Sequence, residues 1–438
     1  MATIKYYNLS KYILFPINRS ITGSGVKKTL RIIKKEFPDL KIKKATSGTK
    51  VFDWKIPAEW NVSDAYVEDK FGKKIIDFKL NNLHLIGYSI PLNKKITKKE
   101  LFKNLHYLKK KPNAIPYVTS YYKKRWGFCV NYKTKLFIDR KYNDKDKFNV
   151  VIKSKFNKKG HLNYGELILK GKSKEEILIS TYICHPSMAN NELSGPTVSM
   201  CLIDHFKKKS LNKTIRFIFV PETIGSITYL SKNLKNLKKN VIGGYNLSCI
   251  GDDRQHSCML TKYQNTVSDE SLLEAYRKLK IRYKMYSFMQ RASDERQYNS
   301  PGIELPIASI FRTKYNEYPE YHTSLDDFKL VTITGIRGGF RVAKKSVEIL
   351  MKKILPKYKI LCEPQMGRRG LYPTLSTLKP RNQIINDYMD FLQYVDGKNS
   401  LEKISTILNK RLSYIKKIYK KLKKKINLLK LENYFEDR

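Results

Sequence analysis

From residue 177 onward the chain alternates between two textures, and that alternation constrains its fold more than any other feature. Ile177–Cys184, Ile215–Val220, Val241–Ile250 and Leu305–Phe311 are largely apolar runs with β-branched residues. Helical patterns lie between and after them, at 196–208, 226–235, 268–279 and 337–353. Runs that are apolar on both faces and alternate with helices predict an α/β fold, with a mostly parallel sheet covered on both sides. Ligands of such sheets bind at the carboxyl ends of the strands. The loops that follow the strands are therefore where chemistry is expected.

The rest of the chain has a different texture. Residues 27–37 carry Leu30, Ile32, Ile33 and Phe37, as an amphipathic helix would. Short apolar runs alternate with polar turns from about 46 to 90, which predicts a small β-rich unit. Leu101–Leu108 reads as a helix, and Gly127–Asp139 and Phe148–Leu169 read as hairpins. The α/β unit is accordingly placed at 1–45 and 116–361, with 46–115 inserted into it. The Gly/Pro-containing stretch 362–377 is expected to be a linker. Residues 378–438 carry helix-period apolar positions in three segments and a Ser400 N-cap, which suits a winged-helix type of module.

The strand ends carry a recurrent set of side chains. His185 ends the first run and is followed by Asn190, Asn191 and Glu192. Glu222 follows the second run, Asp252 and Asp253 the third. Asp294 and Glu295 precede the fourth, and Glu317, Glu320, His322, Asp326 and Asp327 follow it. One such carboxylate is usually a cap or a surface charge. Imidazoles and carboxylates gathered at the ends of several strands of one sheet form the layout of a zinc site with an open water position.

The strings "FPINRSITGSG", "VFDWKIPAEWNV", "YYKKRWGFC", "CHPSMANNELSGP", "PETIGS", "SDERQYNSPG", "PEYHTSLDD" and "CEPQMGRRGLYPTL" resemble, in order and spacing, the bacterial aminopeptidase-like family. In that family a zinc-peptidase domain holds an inserted β domain and precedes a winged helix. Its core is similar to the co-catalytic zinc aminopeptidases. The resemblance implies a first histidine ligand at His185, a carboxylate ligand at Glu222 and a final histidine ligand at His322. The bridging aspartate of the two-zinc enzymes falls on Asn191, the general base on Pro221, and a third-strand aspartate ligand on Ser248. The resemblance therefore implies one zinc per chain, held by His185, Glu222 and His322, with Asp252 as a possible fourth ligand. The catalytic base must then come from another carboxylate; Glu192 and Glu295 are the candidates, with Asp294 as an orienting partner. Asn191 is a candidate substrate contact. Arg19, Arg125 and Arg296 can bind a substrate carboxylate through their planar forks, or pair with surface acids.

The leading reading is a zinc-dependent hydrolase of the aminopeptidase type that cleaves an amide in a small peptide or amino-acyl conjugate. Two alternatives stay open: a metal or ligand sensor whose winged helix binds nucleic acid, and a related acyl-transfer or cyclising enzyme. The formal charge of +48 predicts weak, salt-sensitive attraction to any nucleic acid. The lysines are spread over the chain, however, so solvated faces account for most of them. No run reaches the ~18 apolar residues of a membrane span. The N-terminal residues lack a signal-peptide pattern, and the six cysteines lack disulfide or metal spacing, so a cytoplasmic location is expected.

Overall fold

The computed structural model describes residues 2–358, 360, 362–371 and 383–426. Its centre is an eight-stranded sheet in the order Lys41–Thr46, His161–Leu169, Lys213–Val220, Ser173–Tyr182, Val241–Leu247, Ile307–Phe311, Ser257–Met259, Lys284–Tyr286. The middle four strands are mutually parallel, and they are the four apolar runs of the sequence, with Ser173–Tyr182 and Lys213–Val220 starting earlier than their runs and Val241–Leu247 and Ile307–Phe311 lying inside theirs. Antiparallel pairing appears only towards the edges. The strand Ser173–Tyr182 has Lys213–Val220 on one side and Val241–Leu247 on the other. The chain thus winds away from it in both directions, which makes its carboxyl end the switch point where such sheets open a crevice. His185 stands there.

Both faces of the sheet are buried. Ile177, Ile179, Phe217 and Leu247 pack in one core with the helices Ser24–Glu36, Ser194–Phe206, Val267–Leu279 and Ile333–Lys352. Leu178, Ile218 and Val220 point to the opposite core, with the helix Ile224–Asn240. The two-residue period of a strand sends neighbours to opposite faces, so these strands had to be apolar throughout. Gly195 lets the helix Ser194–Phe206 approach the sheet: a Cβ there would stand 2.3 Å from both the Leu247 carbonyl oxygen and Thr181 Oγ1.

The inserted unit is a four-stranded antiparallel sheet ordered Lys74–Asp77, Glu59–Glu68, Lys147–Asn157, Leu92–Thr97. It includes Lys147–Asn157, so the small sheet draws in chain well beyond residue 115. The hairpin expected over 148–169 does not form: Lys147–Asn157 joins the small sheet and His161–Leu169 the large one. Over 127–139 only Phe128–Cys129 is extended, and Tyr132–Lys141 is a helix whose Asn131 side chain accepts from Thr134 N at 2.8 Å. The helix expected over 101–108 lies at Lys98–Lys103.

The C-terminal helices are Gln383–Gln393, Leu401–Ile407 and Leu412–Ile426. Ser400 caps the second by accepting from Lys403 N at 3.0 Å. Met366 and Leu371, placed by sequence in a linker, pack into the core of this unit. The remainder of that linker, 372–377, and residues 378–382 and 427–438 of the expected winged-helix module lie outside the described residues. Ser400 Oγ donates to Glu270 at 2.9 Å, and Lys353 lies 3.1 Å from Glu274 and 3.6 Å from Glu402. These contacts tie the helical unit to the α/β unit.

Candidate active site

His185 is the hinge of the site. Its ring is buried, with Nδ1 2.9 Å from Glu192 Oε2 and Nε2 3.7 Å from Glu222 Oε2. The His322 ring lies 5.5 Å away, centroid to centroid. Tyr117 stands 5.2 Å from each of the two imidazoles, and Tyr321 stacks on His322 at 3.9 Å. Residues 137 positions apart in sequence are thus brought into one aromatic-walled cluster. Four non-glycine residues around it, Ser187, Thr223, Cys249 and His322, have φ between 42° and 62°. Such backbone costs ~1–3 kcal/mol per residue and gathers at functional sites. Thr223 is the most telling, because β-branched residues rarely adopt it.

The electrostatics are those of a crowded, dry site. Burial and the charge on His185 push the His322 imidazole down to about 3. At His185 burial acts in the same direction, but Cys184 and Glu192 outweigh it and raise the imidazole. Burial raises the Glu222 carboxyl against the opposing pull of His185, and Ser293 Oγ donates to its Oε1 at 2.5 Å. Asp294 is pushed up to about 8 by burial and then by Glu222. Its Oδ1 accepts from Thr223 N at 2.7 Å and from Ser226 Oγ at 2.8 Å, while its Oδ2 is buried without a partner.

His185 stands beside both Glu222 and His322, and its Nδ1 is already held by a carboxylate. Metal-binding imidazoles commonly give their second nitrogen to such a partner. Donor atoms of Cys184, His185 and Glu192 also lie within 4.8 Å of one another. In that set Cys184 Sγ lies 3.5 Å and Glu192 Oε2 2.9 Å from His185 Nδ1. Without a metal, burial pushes the Cys184 thiol up to about 11; a coordinated metal would lower it.

Several residues proposed from sequence take other roles. Asp252 is not free to bind a metal: its carboxylate accepts from Asn190 Nδ2 at 3.1 Å, Thr313 N at 2.9 Å, Thr313 Oγ1 at 2.6 Å and Arg254 N at 3.0 Å. Glu295 is not a free base, because Oε1 accepts from Ala292 N, Ser293 N and Tyr315 Oη, the last at 2.6 Å. Glu192 is fully buried and engaged with His185, so it cannot reach a substrate water. Asn191 is buried too, and its Oδ1 accepts from Tyr182 Oη at 3.1 Å instead of facing a substrate. Arg19 is 1% exposed and bonds backbone carbonyls, which excludes it from binding substrate. Arg125 is exposed and donates to the Thr119 carbonyl. Arg296 alone of the three arginines stands beside the cluster: it is exposed, donates to Thr223 Oγ1 at 2.8 Å, and its charge opposes the rise in Glu222.

Sequence reasoning missed Tyr117, Tyr321 and Ser293, and it named Asp326 among the strand-end carboxylates without assigning it a role. Asp326 orders the loop after His185 by accepting from the Asn190 and Asn191 backbone amides at 2.5 and 2.9 Å. The tyrosines carried no signal in a chain with 30 of them.

Comparison with known proteins gives a consistent frame. Residues 354–430 match a winged helix-turn-helix family. A Clostridium acetobutylicum protein described as a "Putative polysaccharide biosynthesis protein with aminopeptidase-like domain" is 39% identical over 407 residues, covering 90% of this chain and 89% of that one. The crystal structure of a "putative peptidase" from the same organism superposes with a TM-score of 0.78 at 38% identity, over 98% of this chain and 96% of that chain. A zinc aminopeptidase from Bacillus subtilis shares the fold at 15% identity, with a TM-score of 0.59 over 79% of this chain and 93% of that chain. Residues 7–353 match the family described as a domain of unknown function, DUF4910, and with most of its length inside that match the chain belongs to this family of aminopeptidase-like proteins.

Proposed function

We propose that this protein is a zinc-dependent hydrolase with one metal per chain, held by His185, Glu222 and His322, that cleaves an amide in a small peptide or amino-acyl conjugate. The observation that carries the reading is the pairing of His185 Nε2 with Glu222 at 3.7 Å, beside the His322 ring, at the switch point of the sheet. Zinc bound there would polarise the scissile carbonyl and bring a water towards ionisation near neutral pH. The chain's own residues do the rest. Glu192 fixes the tautomer and plane of the His185 ring. The Glu222–Asp294 pair keeps a proton close to the site, since burial and mutual repulsion prevent both carboxyls from ionising together. Tyr117 and Tyr321 cover the two imidazoles and limit water. Arg296, at the exposed edge, is the remaining candidate for a substrate carboxylate.

The name of the Clostridium relative refers to polysaccharide biosynthesis, so amides that join an acyl or amino-acyl group to a sugar belong among the substrates to be tried. Winged helix-turn-helix modules favour, as a second reading, a sensor that binds nucleic acid. The test is a hydrolysis panel of aminoacyl arylamides, dipeptides and N-acyl amino sugars, run with zinc and with a chelator. The proposal expects zinc-dependent turnover of one class, abolished in His185→Ala and His322→Ala. Turnover that survives both substitutions would refute it.

A further inference from the structure

One charged group near the site has no place in the chemistry above, although its burial is complete. The Arg19 and Glu192 side chains both have 0% exposure. Burying a guanidinium is costly unless it is paired and hydrogen-bonded. Arg19 Nε donates to the His185 carbonyl oxygen at 3.0 Å and lies 3.6 Å from Glu192 Oε1, while Nη1 donates to the Leu14 carbonyl at 2.5 Å. The opposite oxygen of Glu192, Oε2, holds His185 Nδ1 at 2.9 Å. One planar group therefore holds the His185 backbone by a hydrogen bond and stands at ion-pair distance, without a hydrogen bond, beside the carboxylate that holds the same residue's ring; Arg19 Nη2 and Glu192 Oε1 themselves have no hydrogen-bond partner among the described residues. The segment that delivers Arg19 is itself anchored, with Ser10 Oγ 2.6 Å from Thr197 Oγ1 on the helix that follows the His185 loop. A purely structural arginine would be expected to pair wherever carboxylates are plentiful. This one stands beside the carboxylate that holds His185 Nδ1 and bonds the backbone carbonyl of the same residue.

We propose that Arg19 is a positioning residue for metal binding, holding Glu192 and the His185 backbone so that His185 Nε2 is aimed at the metal before it arrives. The proposal rests on the zinc reading given above. Its content is pre-organisation: Arg19 touches neither metal nor substrate, and acts by removing freedom from the ring that does. Partners of this kind are worth roughly 10–100-fold in metal affinity. The contacts also set apart Arg from Lys, because one ammonium on a flexible stem lacks the rigid fork whose Nε and Nη1 serve the His185 and Leu14 carbonyls together beside Glu192.

The experiment measures zinc affinity by competition with a chromophoric chelator, independently of any turnover, on the full chain. Arg19→Gln and Glu192→Gln are each expected to weaken binding by roughly 10–100-fold, with stoichiometry unchanged. Arg19→Lys is expected to recover part of the loss. The Arg19→Gln/Glu192→Gln double variant is expected to lose little more than either single one, because both residues act through the same ring. Circular dichroism and the thermal midpoint, recorded for every variant, establish that the folded protein is being measured. If Arg19→Gln does not fold, Arg19→Lys and Glu192→Gln decide the matter by the same readout. Folded variants that bind zinc within twofold of the parent, or losses that simply add, would overturn the proposal. A parent protein without micromolar zinc affinity would instead remove the zinc reading on which it rests.

Discussion

Replacing Asp252 separates a metal ligand from a structural anchor, and the size of the effect can be worked from its surroundings. The carboxylate is 0% exposed and accepts from Asn190 Nδ2, Thr313 N, Thr313 Oγ1 and Arg254 N at 2.6–3.1 Å. In Asp252→Ala all four donors lose their acceptor. The three from Asn190 and Thr313 belong to buried residues and cannot turn to bulk water. Each buried donor left unpaired costs ~1–3 kcal/mol, and a small cavity adds to that, so the loss should be at least ~3 kcal/mol and up to ~9 kcal/mol. Against a usual total of ~5–15 kcal/mol, this is a severe substitution. Urea unfolding should show a much lower midpoint with little change in slope. Zinc stoichiometry of the folded variant should stay at one. A variant of parental stability that has lost its zinc would refute this reasoning and restore Asp252 as a ligand.

Three further outcomes follow from the same structure. The Asp294 carboxyl stands at about 8, raised from its ordinary 3.8, so the folded state binds a proton that the unfolded chain releases. The resulting stabilisation is complete below about pH 4 and is lost as pH rises through about 8. Metal-free parent protein should therefore lose thermal stability between pH 5 and 9 relative to Asp294→Asn; parallel curves for the two would contradict this. Arg125→Ala, at an exposed side chain whose one hydrogen bond goes to Thr119, should change stability by no more than ~0.5 kcal/mol and leave turnover intact. A tenfold loss of turnover would put Arg125 back among the substrate contacts. The helix Leu412–Ile426 buries Ile415, Ile418 and Leu422 and leaves lysines outward, so titrations with duplex DNA should show weak binding that collapses between low and moderate salt, without preference among sequences. A tight, site-selective complex at physiological salt would promote the sensor reading.

What the sequence disclosed, and what it withheld, has a physical basis. The central strands were legible because burial on both faces writes itself into every position of a strand, as in Ile177–Tyr182. Strand order pointed to a group of loop residues at one edge of the sheet, and the family resemblance singled out His185, Glu222 and His322 among them. The roles of the carboxylates were not legible. Asp252 and Glu295 differ from Glu222 only in the donors that surround them, and those donors come from Thr313, Ala292 and Tyr315, which no local pattern connects to them. Arg19 stayed open between a substrate contact and a partner for acids for the same reason: a residue's reach towards the back or the front of a site depends on packing. The hairpin misread at 148–169 is a strand pair shared between two sheets, a switch that alternation of apolar residues cannot reveal. The helix Tyr132–Lys141, by contrast, did carry its signal in the Asn131 cap.

X-ray absorption at the zinc edge, on protein loaded with one equivalent of metal, tests the central claim most directly. Zinc on His185, Glu222 and His322 gives nitrogen and oxygen neighbours at ~2.0–2.2 Å and imidazole outer-shell scattering, with no sulfur. The other donor set, in which Cys184 joins His185 and Glu192, would add a sulfur neighbour at ~2.3 Å. The account predicts a spectrum fitted by two imidazoles and light-atom neighbours, with the imidazole features halved in His322→Ala. A sulfur shell, or a spectrum unchanged by that substitution, would contradict it.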